Sequence, residues 1–257
     1  LQNEVQKFNF RTKLNTKLSA RAEFGTNVSL TYTYATRPYS NYIDFYRTPS
    51  FLPLYHNDWS TALTGYSGYA RGSHFLNVQS PTGPVDEMGN PTWDKSSPFS
   101  SANNNPRKVM DNTFRSRESF QSVGSFYFQY EILKNLVFKT SNGYNVRYSP
   151  SYYYYNKDAT KDDIAATAYY GHSLFMDLLT ENTLNYSYKK GAHSVDALLG
   201  YTLQSTRVDN VDMYATGFAT DDIHTLNAAT VYDIDKSGTF KYPQRLLSSF
   251  LGRVNYN

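Results

Sequence analysis

From Phe8 to Tyr34 the chain alternates with a period of two. Phe8, Phe10, Thr12, Leu14, Thr16 and Leu18 fall on one side, and Lys7, Asn9, Arg11, Lys13, Asn15 and Lys17 on the other. After Ser19-Ala20-Arg21 the pattern resumes: Phe24, Thr26, Val28, Leu30, Tyr32 and Tyr34 oppose Glu23, Gly25, Asn27, Ser29, Thr31 and Thr33. Side chains of a β-strand point alternately to opposite faces, so this stretch predicts a hairpin with one apolar and one polar face. Its arms are long. Strands of soluble proteins average ~5–6 residues, whereas a strand crossing a bilayer at a tilt needs ~9–11.

The hairpin recurs. Phe120, Phe126, Phe128, Tyr130 and Ile132 share a parity, as do Leu136, Phe138, Tyr144, Val146 and Tyr148 after a tight turn at Leu133-Lys134-Asn135. A third pair follows, with Leu174, Met176, Leu178, Leu184, Tyr186 and Tyr188 on the first arm and Val195, Ala197, Leu199, Tyr201 and Leu203 on the second. The apolar parity changes from even to odd across Lys189-Lys190-Gly191-Ala192. Residues opposed in a hairpin share a face, so a connection of even length reverses parity and one of odd length preserves it. The flip therefore keeps one face continuous. The expected strands are about 4–18, 22–35, 120–132, 136–148, 174–188, 193–207 and 246–257, with long loops at 36–115, 149–173 and 208–245.

Short and long connections alternate strictly. The charges of the strands, among them Lys7, Arg11, Lys13, Lys17, Lys139, Arg147, Asp177 and Glu181, share the polar parity; Glu118 breaks that rule only if the third strand starts before Phe120. A charge facing lipid near the bilayer midplane costs ~2–4 kcal/mol, whereas one facing a wet lumen costs little. Tyr130, Tyr186, Tyr188 and Tyr256 fall near one rim and Tyr32, Tyr34 and Tyr148 near the other, as interfacial aromatic girdles would. The fold class expected is all-β: an antiparallel transmembrane β-barrel, here an incomplete segment of about seven strands with short periplasmic turns and long extracellular loops.

Composition narrows this only slightly. The 257 residues include 25 Tyr and 16 Phe but no Cys, so no disulfide framework and no thiolate metal site is available. Mean hydropathy is −0.60, and no run of ~20 apolar residues exists, which excludes a transmembrane helix but not a barrel, because alternation halves the average. A net charge of +3 gives no argument for nucleic acid. No secretion signal is visible at Leu1–Lys7, and both ends read as cut from a longer barrel, with a plug domain expected to be missing.

Four stretches together resemble one family, the SusC/RagA-type TonB-dependent outer-membrane transporters of Bacteroidetes. They are Y-E-I-L-K-N-L-V-F-K-T-S-N-G-Y-N at 130–145, H-S-V-D-A-L-L-G-Y-T-L-Q at 193–204, G-F-A-T-D-D-I-H-T-L-N-A-A-T at 217–230 and S-F-L-G-R-V-N-Y at 249–256; the opening F-N-F-R-T-K-L-N-T-K-L also fits. The resemblance implies a large plugged barrel in the outer membrane of a Gram-negative cell, of which seven strands are about a third. It implies active uptake of oligosaccharides or peptides, a SusD-like surface lipoprotein as lid, and energy from the TonB–ExbB–ExbD complex acting through the missing N-terminal part. The alternatives are a glycan-binding surface β-sandwich and a passive porin-like barrel.

The sequence offers little covalent chemistry. No G-x-S-x-G elbow is present, and no enzyme, catalytic residue or cofactor is expected. None of His56, His74, His172, His193 and His224 has the spacing of a helical metal site, and Asp221-Asp222-Ile223-His224 lacks the alternation of a calcium loop, so no metal is expected. Aromatic loop residues are the candidate contacts to substrate or partner: Trp59, Trp93 and the run Tyr152, Tyr153, Tyr154 and Tyr155. The face bearing Lys7, Arg11, Lys13, Lys17, Lys139, Arg147, Asp177 and Glu181 is expected to line the lumen.

Overall fold

The computed structural model describes residues 3–37, 42–48, 50, 53–58, 81–85, 91–93, 105–159 and 166–257. Their main feature is one antiparallel sheet. Its strands are β1 (Glu4–Lys17) and β2 (Ala22–Thr36), then, beyond a small hairpin of β3 (Pro81–Val85) and β4 (Pro91–Trp93), β5 (Thr113–Leu133), β6 (Leu136–Tyr155), β7 (Thr167–Lys190) and β8 (His193–Phe218). Each strand pairs with the next in the order β1-β2-β5-β6-β7-β8. The chain then returns along the free edge of β8 in three pieces, β9 (Ala229–Tyr232), β10 (Gly238–Lys241) and β11 (Arg245–Tyr256). The sheet does not close on itself: β1 pairs only with β2.

The register keeps the two faces separate across the sheet. One rung runs Thr12, Val28, Gly124, Tyr144, Leu178 and Ser205; its neighbour on the opposite face runs Lys13, Asn27, Ser125, Gly143, Leu179 and Gln204. The turns preserve this separation by a route the sequence did not show. The β5–β6 turn is two residues, Lys134-Asn135, with Asn135 in the left-handed region at φ 74°. A bulge between Glu131 and Leu133 supplies the third residue that parity requires. The β7–β8 turn is Gly191-Ala192, with Gly191 at φ 62°, and Lys190 stands opposite His193. Two residues reverse parity just as four would.

Four expectations about extent are corrected. β5 starts at Thr113, not 120; β6 runs to Tyr155, not 148; β7 begins at Thr167, not 174; and β8 extends to Phe218, not 207. The regions assigned to loops 149–173 and 208–245 are therefore largely strand. Backbone pairing continues past the end of the two-faced pattern, because the ladder depends on hydrogen bonds that any side chain permits. The third strand does start before Phe120, so Glu118 lies on the apolar parity, where it accepts a hydrogen bond from the Tyr32 hydroxyl at 3.2 Å. Glu4, Arg207 and Asp209 also have this parity.

Those charges mark where the apolar band stops. On β2 the band reaches Tyr34, on β6 Tyr148, and on β8 only Leu203, below Arg207. At the turn end it likewise shifts, from Ala22 and Tyr130 on one rung to Tyr188 and Tyr256 on a lower one. A strand tilt of ~35–45° moves any level plane by about one residue per strand at ~4.8 Å spacing. A band that drifts the same way at both limits is level in a sheet of tilted strands.

The only buried apolar cluster among the described residues lies beyond this band. Tyr154, Ala166 and Ala168 are buried, with Tyr152, Phe218 and Leu226 packed around them. Among the described residues between β2 and β5 lie the short helices α1 (Tyr42–Arg47) and α2 (Pro106–Asp111). Asn105 caps α2, accepting from the backbone N–H of Arg107 at 2.9 Å, and Pro106 fills the first helical position, where no donor is needed.

Candidate functional site

The polar face carries every charge assigned to it from sequence. Lys7 stands opposite Thr33, Arg11 opposite Ser29, Lys13 opposite Asn27 and Lys17 opposite Glu23. Lys139 shares a rung with Gln129 and Thr183, Arg147 with Gln121 and Phe175, Asp177 with Asn145 and Thr206, and Glu181 with Ser141 and Thr202. Cross-strand bonds tie them into the wall. Asp177 accepts from Gln204 at 3.0 Å and from Thr206 at 2.6 Å. Arg11 donates to Asn27 at 3.3 Å, Gln121 to Asn145 at 3.1 Å, and the Tyr127 hydroxyl to Glu23 at 2.5 Å. The Lys139 ammonium lies 5.0 Å from the Tyr127 ring centroid.

The end of this face away from the short turns is different in character. Tyr153, Tyr169 and Tyr214 form an aromatic rung, with ring centroids 4.9 Å and 4.7 Å apart, and the Tyr169 hydroxyl donates to Asp212 at 2.5 Å. Arg115 caps the rung, its guanidinium 4.4 Å from the Tyr153 centroid. Beside it a recess of about 490 Å³ is lined by Arg37, Arg115, Arg117 and Arg147 together with Ser149 and Tyr153, among other residues. Arg37, Arg115 and Arg117 went unnoticed in the sequence because they fall at the ends of the stretch assigned to a loop. The signal was present: Arg115 and Arg117 repeat at a spacing of two, in register with Gln121.

The tyrosine run divides between faces. Tyr153 and Tyr155 have the polar parity, and Tyr152 and Tyr154 the other. Tyr154 is fully buried and belongs to a packed cluster: its hydroxyl donates to Asp221 at 2.8 Å, and its ring stacks on His224 at 4.3 Å. Phe114 packs on the same His224 ring at 4.2 Å. The segment after β8 thus folds over this end of the sheet. Asp221 and His224 take structural partners, His224 Nε2 lying 2.6 Å from the Asp221 carbonyl oxygen. Tyr155 is half-buried at the end of β6, opposite Thr167. Trp93 ends the small hairpin, paired in register with Pro81. Trp59 and His74 lie outside the described residues.

Among the described residues no group of three or more His, Cys, Asp or Glu is placed to hold a metal. Burial holds His56 below the ordinary imidazole range. The Lys236 side chain, 2.7 Å away, holds Asp233 below the ordinary carboxylate range.

No family model matches the chain. In sequence it is 26% identical over 158 residues to TonB-dependent receptor P39 of Formosa agariphila, covering 61% of this chain and 15% of the receptor. In structure it is similar to the RagAB peptide importer. The closed-closed state gives a TM-score of 0.66 at 14% identity and the open-open state 0.65 at 15%; each match covers 99% of this chain and 26% of the other. The fold class is that of an antiparallel transmembrane β-barrel, present here as an unclosed sheet. The chain thus resembles a TonB-dependent receptor in sequence and the RagAB importer in fold. The chain spans about a quarter of the importer chains and less of the receptor.

Proposed function

We propose that these strands are part of the wall of a TonB-dependent outer-membrane transporter for active uptake of oligosaccharides or peptides. One observation carries this reading: among the described residues the apolar face has no partner layer. Phe10 is 61% exposed, Phe120 62% and Leu199 63%, on a continuous apolar face backed by a hydrogen-bonded polar one. Exposed apolar surface on this scale requires a covering, and the drift of the band with strand tilt makes that covering a level slab, the bilayer. A sandwich would pack a second sheet on the same face, and the only other sheet among the described residues is the β3–β4 hairpin.

In this reading the polar face lines the lumen, the short turns are periplasmic and the ends at Tyr155 and Phe218 are extracellular. A SusD-like lipoprotein lids that end, and work arrives from the TonB–ExbB–ExbD complex through parts of the protein beyond these strands. The similarity to a TonB-dependent receptor and a peptide importer supports uptake over passive flow. Substrate is bound and moved with no bond broken, so the strands act by shape and charge.

The test is fractionation of the full protein from its native cells. It should appear in the outer membrane, require detergent for extraction, and support growth on its nutrient only with TonB intact. A folded, water-soluble monomer would overturn the barrel reading. Uptake that persists without TonB would favour the porin-like alternative.

A further inference from the structure

We propose that the arginine-lined recess at the outer end of the polar face is a subsite for a carboxylate group of the transported substrate; this rests on the lumenal assignment above. Arg37 lies beside Arg115, its backbone N–H donating to the Arg115 carbonyl at 3.3 Å. Arg117 follows two residues on, and Arg147 completes the recess from β6. Like charges placed across a strand pair destabilise a sheet unless something compensates them. Among the described residues no carboxylate ion-pairs with Arg37, Arg117 or Arg147; Arg147 lies 5.5 Å from the Phe175 ring centroid, and the nearby Asp177 accepts from Gln204 and Thr206. On the rung of Arg117 the carboxylate is Asp212, three strands away at ~14 Å, and it accepts from the Tyr169 hydroxyl.

The geometry favours a planar oxyanion. A guanidinium presents paired N–H donors that match both oxygens of a carboxylate, and stacking on Tyr153 fixes the Arg115 plane. Ser119 and Ser149 line the same recess, with hydroxyl oxygens 3.3 Å apart, and add neutral donors. The adjoining Tyr153–Tyr169–Tyr214 rung offers flat rings for the uncharged remainder of the ligand. A low-dielectric wall around the clustered positive charge of Arg37, Arg117 and Arg147 also concentrates the field, so the recess attracts anions from the outer side.

A carboxylate of this kind comes either from an acidic peptide or from a uronic-acid oligosaccharide, and the two are separated by probe. Binding of tetraglutamate and of trigalacturonate to the full detergent-solubilised protein is measured by calorimetry, with tetraglutamine and maltotriose as neutral controls. One anionic probe should bind at least ~10-fold tighter than its control, weakening as salt rises. Arg117→Gln with Arg147→Gln should remove most of that preference, and Arg117→Lys with Arg147→Lys should restore only part of it. Equal binding of both anionic probes and their controls would overturn the subsite, as would a preference unchanged in a Gln variant that keeps its folded-barrel mobility on gels. If the Gln pair does not fold, the Lys pair decides: undiminished preference overturns the bidentate assignment. None of these failures touches the membrane fractionation that tests the transporter reading.

Discussion

The hydroxyl of Tyr154 donates to the carboxylate of Asp221 at 2.8 Å, linking the end of β6 to a segment 67 residues later. The tyrosine has the parity of the exposed apolar residues below it, yet it is fully buried. In the transporter reading the same strand meets hydrocarbon along one length and folded protein along the next.

Removing that link should loosen the covering segment without unfolding the sheet. Tyr154→Phe deletes one hydrogen bond and should cost about 1 kcal/mol locally. Tyr154→Ala also removes the ring that His224 and Phe218 pack against, a cost of about 3–5 kcal/mol. Hydrogen exchange of residues 219–228 should accelerate in that order while β1 and β2 are unchanged.

Adjacent faces should respond oppositely to charge. Val28 lies midway along the apolar side of β2, and Ser125 on the polar face of β5. Val28→Lys should lower folding stability in a bilayer by ~2–4 kcal/mol, and Ser125→Lys by well under 1 kcal/mol. Equal costs in a reversible bilayer-folding titration would contradict the assignment of faces.

Gly25 is required by its neighbour. A side chain there would run into the ring of Tyr127, which lies across the bare backbone. Gly25→Val should displace Tyr127 from Glu23 and from Lys139, at about 1–3 kcal/mol. Adding Tyr127→Ala should recover part of that loss, since the clash with the ring disappears while the close approach to the Asn15 side chain remains. A double-mutant cycle reads the coupling; independent effects would show the contact is not made.

The segment at 53–58 should be acid-sensitive. His56 is buried and its pKa lies below the ordinary ~6.5. The folded state therefore binds fewer protons than the open one, so stability is full above ~6.5 and falls as pH drops toward the folded pKa. Hydrogen exchange at 53–58, divided by the intrinsic rate at each pH, should rise as pH falls from 7.5 to 5.5, and His56→Leu should flatten that rise. Neighbouring Asn105, which donates to the Leu54 carbonyl at 3.1 Å, should report the same opening through α2.

Much of the sheet is legible because its two faces differ sharply in polarity along the middle of each strand. At Arg115–Ser119 and Ser149–Tyr155 similar residue types serve both faces, so the contrast lapses and the strand reads as loop. The arginine recess hid there for that reason. Three of its four arginines, Arg37, Arg115 and Arg117, sit outside the alternating stretches, and only pairing brings them beside Arg147.

The sequence by itself determined which side chains share a face, since a period of two leaves no freedom once a strand forms, and it determined the parity that each turn must satisfy. The tertiary structure alone decided how that parity was met, by a bulge at Glu131–Leu133. It alone decided where the strands end, because hydrogen-bonded ladders are indifferent to side-chain polarity. It also decided that Arg207, on a rung with Phe10 and Met176, lies clear of the apolar band. Level in a membrane is set by strand tilt, which depends on how strands pair and on nothing that one strand carries.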